Sequence, residues 1–567
     1  MTRIARTRYF LLSCTALIAH QAAALPATQP PTTALPSTTE QQYKLEDERP
    51  SLGGTPLITI PEQGAKPIKG NISFVLKDIK LEGNTAFPES DLHPLYGDKL
   101  GQKISLDELN GIADAITAYY RNHGYILTRA VVPPQRAEGG VVTIRIVEGY
   151  VNEIKVQGDA ADDPQIQKYA DKIRASKPLD AKALERYLLL MNDLPGVEAR
   201  AVLQPAADTS GASDVIITVK RKTVEGSATL DNRGSRYLGP VQASATAAVN
   251  NLFGYDDQTQ LRVATTPLDP REMQYYELRH EEQLGSEGLK LVVSANTALT
   301  KPGYTLAEID LEGVSNAVSA GLSYPVIRTR QSNWFVNSDV TVRNVNVGSF
   351  AGNLYDDKTR VVTLGTSYDF IDSTSAITRM EGGVSQGIGI DTDPSGDATA
   401  RSRGNADTVF TKLTMKTTRI QPIEGPWALF GEVAGQYSPQ SLVASEEFAL
   451  GGQELGSAYD SAEISGDSGL AGRAELQYNQ SRGETDFLSQ YQLYGFLDGG
   501  KVWNQDPITG VDYENATLAS TGIGSRFNLI DSLSGSVEGA LPIARKVAAY
   551  GNDGGSPRAF FSLQYRF

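Results

Sequence analysis

The sequence predicts a mainly β protein: a C-terminal transmembrane β-barrel of about sixteen antiparallel strands, preceded by two small α+β modules. Three observations point there. The last eleven residues alternate, with Phe561, Leu563, Tyr565 and Phe567 on one face and Ser562, Gln564 and Arg566 on the other, which is the two-residue period of a strand. No run of eighteen apolar residues occurs after the N-terminus and mean hydropathy is only −0.28, so a membrane crossing must be built from strands paired around a closed cylinder. Between residues 73 and 222 a single order of elements (strand, helix, helix, strand, strand) is met twice.

Residues 1–24 read as a signal peptide. Arg3, Arg6 and Arg8 precede the apolar stretch Tyr9 to Ala19, and Ala22-Ala23-Ala24 offers a small-residue cleavage site. Cleavage would remove Cys14, the chain's one cysteine, so disulfides have no part in the exported chain. It would also remove three arginines and no acids, taking the formal charge from −15 to −18, a balance that excludes nucleic acid as the expected partner. Residues 25–72, rich in Pro, Thr, Gln and Gly, have little apolar surface to bury and are expected to be a disordered linker. Thr39 to Arg49 favours helix by composition but lacks an apolar stripe, so a solvated polar segment with at most a short helix is expected there.

The first module, 73–149, opens with a strand over Phe74 to Leu81 and a turn, Glu82-Gly83-Asn84-Thr85-Ala86-Phe87-Pro88, feeding a helix. From Ser105 a second helix carries Leu106, Leu109, Ile112, Ala113, Ile116 and Tyr120 at three- and four-residue spacing. Ser105 with Glu108 gives it a capping box, and Gly124 stops it. Strands over Tyr125 to Val132 and Val141 to Val147 follow, around Pro133-Pro134. The second module, 150–222, repeats the order: a strand over Val151 to Gly158, helices over Pro164 to Ser176 and Leu179 to Leu194, and strands over Val197 to Leu203 and Asp214 to Lys220.

From Thr223 to Phe567 helical spacing disappears. Alternating segments such as Ala243 to Val249, Gln260 to Thr266, Trp334 to Val345, Arg360 to Tyr368 and Ala428 to Tyr437 recur between turns rich in Gly, Asn, Asp and Ser. About 345 residues at about 21 per strand and connection give roughly sixteen strands, an even count that suits a single-chain outer-membrane barrel.

Candidate chemistry is thin. His93, His123 and His280 are widely separated, so no zinc site is expected, and no cofactor. Asp391-Thr392-Asp393-Pro394-Ser395-Gly396-Asp397 begins like a calcium loop, but its twelfth position is Ser402 rather than Glu and Pro394 stiffens it, so a plain turn is expected and no metal. No serine motif pairs with His280 and no GxxxxGK[ST] loop is present, so neither hydrolase nor nucleotide-driven chemistry is expected.

Several of these stretches carry a resemblance. The Glu82 to Phe87 turn, Tyr120-Arg121-Asn122-His123-Gly124-Tyr125, Pro133-Pro134-Gln135 and Val147-Glu148-Gly149-Tyr150-Val151 look like POTRA modules. More narrowly they resemble the paired modules of two-partner secretion transporters of the hemolysin-activator type. The likeness continues through Leu230-Asp231-Asn232-Arg233-Gly234-Ser235-Arg236-Tyr237 with Gly239-Pro240, Asn251-Leu252-Phe253-Gly254, and Leu322-Ser323-Tyr324-Pro325 with Arg328, covering about residues 72 to 567.

The resemblance implies an outer-membrane pore whose periplasmic modules capture a large, unfolded exported passenger protein and pass it to the cell surface. Outer-membrane lipid and the barrel-assembly machinery would be its further partners, with Phe561, Leu563, Tyr565 and Phe567 as the insertion signal. A barrel-assembly or insertion factor, or a passive channel or surface-binding barrel, are the alternatives. The resemblance also implies that a loop at about 444–470 folds into the lumen. Its motif would be Gly451, Gly452, Gly456, Ser457, Ala458, Tyr459 and Asp460, opposite a barrel-wall motif of Phe496, Asp498 and Gly500. The family carries Arg-Gly where Ser457-Ala458 stands here. Serine cannot offer a carboxylate the planar fork of an arginine, so a looser loop tip is expected, with Asp498 turning to Ser457, Tyr459, water or another cation such as Arg473. By the same logic, restoring Arg-Gly should strengthen the anchoring.

Overall fold

The computed structural model describes residues 30–45, 52, 58–59, 72–206, 211–389, 401–482, 488–508, 513–530, 532–544 and 556–567. The expected signal peptide and the turn Asp391–Asp397 lie outside the described residues.

Sixteen antiparallel strands close into one barrel, from the first, Val224–Asp231, to the last, Arg558–Arg566. The last strand closes on the first with Leu563 opposite Leu230 and Tyr565 opposite Ala228. Its alternation is used as the sequence suggests: Phe561, Leu563 and Tyr565 are exposed on the outer wall, whereas Phe560 points inward and is buried. Strands six to eight, Glu312–Arg328, Ser332–Ser349 and Gly352–Ile371, run to 17, 18 and 20 residues. A tilted strand crosses the hydrocarbon in about ten residues, so these three extend past the membrane. Among the described residues no helix is long and apolar enough to cross a membrane.

In the first module Asp78–Glu82 lies parallel to Val141–Val147, which pairs antiparallel with Arg129–Val131. Helix Leu106–Asn122 covers this sheet, burying Leu109, Ile112, Ile116 and Tyr120. Its capping box is formed: the Glu108 N–H donates to Ser105 Oγ at 3.2 Å and the Ser105 N–H to the Glu108 carboxylate at 2.7 Å. The strand expected over Phe74 to Leu81 is interrupted. Ser73–Val75 pairs with Lys103–Ser105, and Leu76 then turns fully into the core before the sheet proper begins. Tyr125 to Val132 is strand only at Arg129–Val131, because Tyr125 is drawn into a ring cluster with Phe87 and Tyr120, at centroid distances of 5.5 and 6.0 Å.

The second module repeats the plan. Tyr150–Gly158 lies parallel to Ala212–Arg221, which is antiparallel to Val197–Pro205, under helices Pro164–Ala175 and Ala181–Asn192 capped by Asp163 and Asp180. Both modules end their first long strand on a glycine with positive φ: Gly83 at +90° and Gly158 at +109°. A Cβ at either would fall on the carbonyl of the neighbouring strand, Ile146 or Val219, so the turn requires glycine twice over.

The module is bolted to the barrel's turns. Arg328 holds both Asp193 oxygens at 2.7 Å, Gln165 Nε2 donates to the Gly285 carbonyl at 2.6 Å, and Lys172 meets Glu287 at 2.8 Å. Arg221 bridges Asp163 at 2.8 Å and Asp256 at 2.5 Å.

One expectation is overturned. Within the supposed linker, residues 30–45 are ordered and mostly buried: a 3-10 turn, Thr32–Ala34, leads into helix Pro36–Tyr43, with Glu40 2% exposed. Pro36 sits at the first helical position, where its missing N–H costs nothing. The composition was misleading because it measures fitness for an apolar core. This helix lies in a polar lumen, where charged and hydroxyl groups find partners. A short strand, Ile58–Thr59, also forms, parallel to Ala201–Val202 of the second module.

Candidate functional site: the occupied barrel lumen

Among the described residues, two segments of the chain itself occupy the lumen: the helix Pro36–Tyr43 and the connection 438–467 between strand eleven, Trp427–Tyr437, and strand twelve, Ser468–Ser481. That connection is a hairpin whose legs, Phe448–Leu450 and Ile464–Gly466, pair antiparallel. Gly451, Gly452 and Gly456, with φ of +118°, +103° and +92°, let the chain reverse at its tip.

The tip presses on the wall of strands twelve to sixteen. Leu450, Ala458, Tyr459 and Ile464 of the hairpin share one apolar cluster with Phe496, Val502, Leu518 and Phe560 of the wall. Ser457 donates to Asp498 twice, from Oγ at 2.7 Å and from its N–H at 3.1 Å. Asp498 is not short of a cation. Arg473, on strand twelve, reaches it at 3.0 Å, donates also to Ser457 Oγ, and lies over the Phe496 ring at 4.1 Å. Ser520 takes the other Asp498 oxygen.

Around this pair stand Glu475, held by Arg473 and Arg526, and Glu538, held by Arg473, by Arg233 at 2.8 Å and by the Tyr494 hydroxyl at 2.7 Å. Three buried carboxylates thus meet three arginines, the balance that buried charge needs. The expected loose tip is therefore not found: the cation comes from the wall instead of from the loop. Tyr459 donates to the Ala519 carbonyl at 3.1 Å and leaves Asp498 to these partners. Gly500 lies against Leu450 and Ala471, where a side chain would collide.

Asp460 is the loop's own charged group. Arg236, from the connection after strand one, holds one oxygen at 3.0 Å, and Arg558, on strand sixteen, holds the other at 2.7 Å. The hairpin tip therefore spans the seam between the barrel's first and last strands.

The helix is held by a second network. Arg343 on strand seven grips Glu40 at 3.0–3.2 Å and, through its other nitrogen, Glu446 of the hairpin at 2.6 Å, while Lys412 meets Glu446 at 2.7 Å. Ser315 donates to Glu40 at 2.8 Å. At its ends the helical segment is pinned by Thr32 Oγ1 on the Ala462 carbonyl and by the Leu45 N–H on Glu277. Helix and hairpin share Arg343 and touch directly, so neither moves without disturbing the other. Among the described residues no cluster of His, Cys, Asp and Glu is arranged to hold a metal ion.

The family model described as haemolysin secretion/activation protein ShlB/FhaC/HecB matches residues 211–527, and a ShlB-type POTRA domain matches residues 74–149. The chain belongs to the haemolysin secretion/activation family. Similar relatives include the heme/hemopexin transporter protein HuxB of Haemophilus influenzae, 23% identical over 90% of this chain and 92% of that protein. The outer membrane transporter CdiB of Dickeya dadantii is 22% identical over 90% and 92%. Among solved structures, CdiB from Escherichia coli shares the fold with a TM-score of 0.71 at 20% identity, covering 90% of this chain and 94% of that one.

Family membership makes this chain an outer-membrane transporter, with its modules on the periplasmic side. Within the family plan, the sequence pointed to Ser457, Asp498 and Arg473, and the structure brings these three together. It did not point to Glu40, Arg343, Glu446 or Arg558 as charged partners, although each stands in a stretch marked for another reason: a helix-favouring segment, an alternating strand, the lumen loop and the C-terminal strand. Arg233 and Arg236 stood inside a stretch already noticed, and two arginines three residues apart beside a chain reversal were the available signal for lumen cations.

Proposed function

We propose that this transporter passes one exported polypeptide, still unfolded, from the periplasm to the cell surface, and that the helix and the hairpin are the plugs it displaces. The observation that supports this most is the pair of buried ion networks: each plug is held by contacts that can be exchanged for water, and none is covalent. Capture begins at the modules, whose open sheet edges can add an extended chain through backbone hydrogen bonds that ignore most side chains. Nothing in the periplasm supplies nucleotide, so folding of the passenger outside is the pull. A passenger unable to fold should stall before it emerges.

Relatives named as hemolysin and heme/hemopexin transporters support a large protein passenger. The outward apolar band contacts outer-membrane lipid, and Phe561, Leu563, Tyr565 and Phe567 serve as the signal read by the assembly machinery. In the lumen, Ser457 to Asp460 with Phe496, Asp498 and Gly500 act as the latch of the hairpin. Deleting the gene should remove a large exported polypeptide from the outside of the cell, and a plasmid copy should restore it. Passenger export that continues without this chain would end the proposal.

A further inference from the structure

Strand one leaves the second module and the strands then alternate in direction. The connection 482–489, between strands twelve and thirteen, therefore lies on the same side as the turns that meet the module at Asp256 and Glu287. That side is the periplasmic rim. Strand thirteen, Gln490–Trp503, pairs there with strand fourteen, Asn515–Ile530, setting Tyr491 opposite Phe527 and Leu493 opposite Ser525. Gln492 and Arg526 turn inward, joined to each other and to Gln477 and Glu475, so by the two-residue period the other four side chains face lipid. Between them and Leu529 is an apolar cleft of about 410 Å³, inside the range of roughly 300–1,000 Å³ typical of ligand sites.

One charged side chain lines this cleft. Arg482, exposed at the end of strand twelve, sets its guanidinium over the Tyr491 ring, 5.9 Å from the centroid, and donates its N–H to the Ser489 carbonyl at 2.7 Å. Among the described residues no carboxylate stands within ion-pair distance of it. The larger cleft of the outer wall, about 720 Å³ across the seam at Leu230 and Leu563, has no charged residue in its lining. We propose that the rim cleft binds one anionic glycerophospholipid of the periplasmic leaflet, with its phosphate on Arg482 and one acyl chain against Leu493, Phe527 and Leu529. The order of groups follows that of the molecule: a cation and an aromatic ring at headgroup depth, then an apolar floor running up the wall. Arginine suits the task, because its fork matches phosphate oxygens and its stem lies along apolar surface. The inner side of these same strands carries Glu475, Asp498 and Arg526, so the lipid stands behind the wall against which the hairpin closes.

The purified full chain in detergent is titrated with dioleoylphosphatidylglycerol and, separately, with dioleoylphosphatidylcholine, and bound lipid is counted by native mass spectrometry. One surface cation should give the wild type about a fivefold preference for the anionic lipid in the first binding step. Arg482→Gln should bind both lipids alike, and Arg482→Lys should keep most of the preference. Ser525→Phe fills the cleft while leaving Arg482 in place and the lipid face apolar. It should abolish the preference in a barrel that still runs as a closed, heat-modifiable species. Lipid held at the seam should be indifferent to headgroup and survive all three substitutions. Glu484 and Asp486 belong to the same connection, outside the described residues; were either to hold the guanidinium, the wild type would show no preference. Equal affinities in the wild type, or a preference that survives Arg482→Gln or Ser525→Phe, would overturn the site. The proposal rests on the barrel standing in a bilayer and not on the passenger, so its failure would leave passenger export, and the test of that role, unaffected.

Discussion

Arg473 reverses what restoring the family's Arg-Gly pair would do. Its guanidinium already fills the space between Ser457 and Asp498 and serves Glu475 and Glu538 as well. A second arginine introduced by Ser457→Arg, with Ala458→Gly, would enter a buried site where Arg473, Arg233 and Arg526 already match the carboxylates. That variant is expected to loosen the hairpin, seen as faster proteolysis of residues 440–465 in the purified barrel. Adding Arg473→Ser should restore protection, because one cation then again faces Asp498. Protection by the Arg-Gly pair alone would refute this account. Arg473→Met on its own leaves three buried carboxylates short of a partner. Breaking a buried pair costs about 3–5 kcal/mol, enough to shift the hairpin from closed to largely released, and the same protease assay should show it.

At the scale of elements, the helix and the hairpin are two plugs with one shared fastener. Glu40 and Glu446 both end on Arg343, so their removals should not add. In planar bilayers Glu40→Gln and Glu446→Gln should each raise the frequency of large conductance steps. The double variant should raise it less than the product of the two, and a fully multiplicative effect would mean that the plugs are independent. Asp460 has a different task. The first and last strands pair over only five residues, Ser227–Asp231 with Ser562–Arg566, and Asp460 ties Arg236 to Arg558 across that seam. Asp460→Asn should raise amide hydrogen exchange in Ser562–Arg566 while the interior strands stay protected. These elements also mark the limit of what the sequence disclosed. The hairpin was expected through the family resemblance that its glycines and Tyr459 carry, whereas the helix-favouring composition from Thr39 onward was assigned to a solvated linker because it has no apolar stripe. A helix buried in a polar lumen is invisible to a test that looks for grease.

Over the whole molecule, the barrel was legible because period-two alternation is forced on any strand with lipid on one side, and the strand count followed from length alone. Both modules were legible from their repeated order of elements and the three- and four-residue spacing of their helices, and what blurred was local: Leu76 breaking a strand, and Tyr125 leaving one for a ring cluster. The joint between module and barrel was not legible, since Arg221, Asp163 and Asp256 are far apart in sequence and none belongs to a periodic pattern. Yet the joint fixes the second module against the barrel's turns, and it carries a pH dependence. Burial, with the Asp163 carboxylate beside it, raises the Asp256 carboxyl to about 6, against the opposing pull of Arg221. An acid whose folded pKa lies above its unfolded value binds more protons when folded, so its contribution to the joint is fully present below the unfolded value of about 3.9 and is lost as pH rises through about 6. The joint should therefore tighten between pH 7.5 and pH 5. Amides of residues 251–257, corrected for intrinsic rates, should exchange more slowly at pH 5. Asp256→Asn should remove the difference by holding the site neutral throughout. Exchange that is unchanged with pH in the wild type, or a pH effect that survives in Asp256→Asn, would place the titrating group elsewhere.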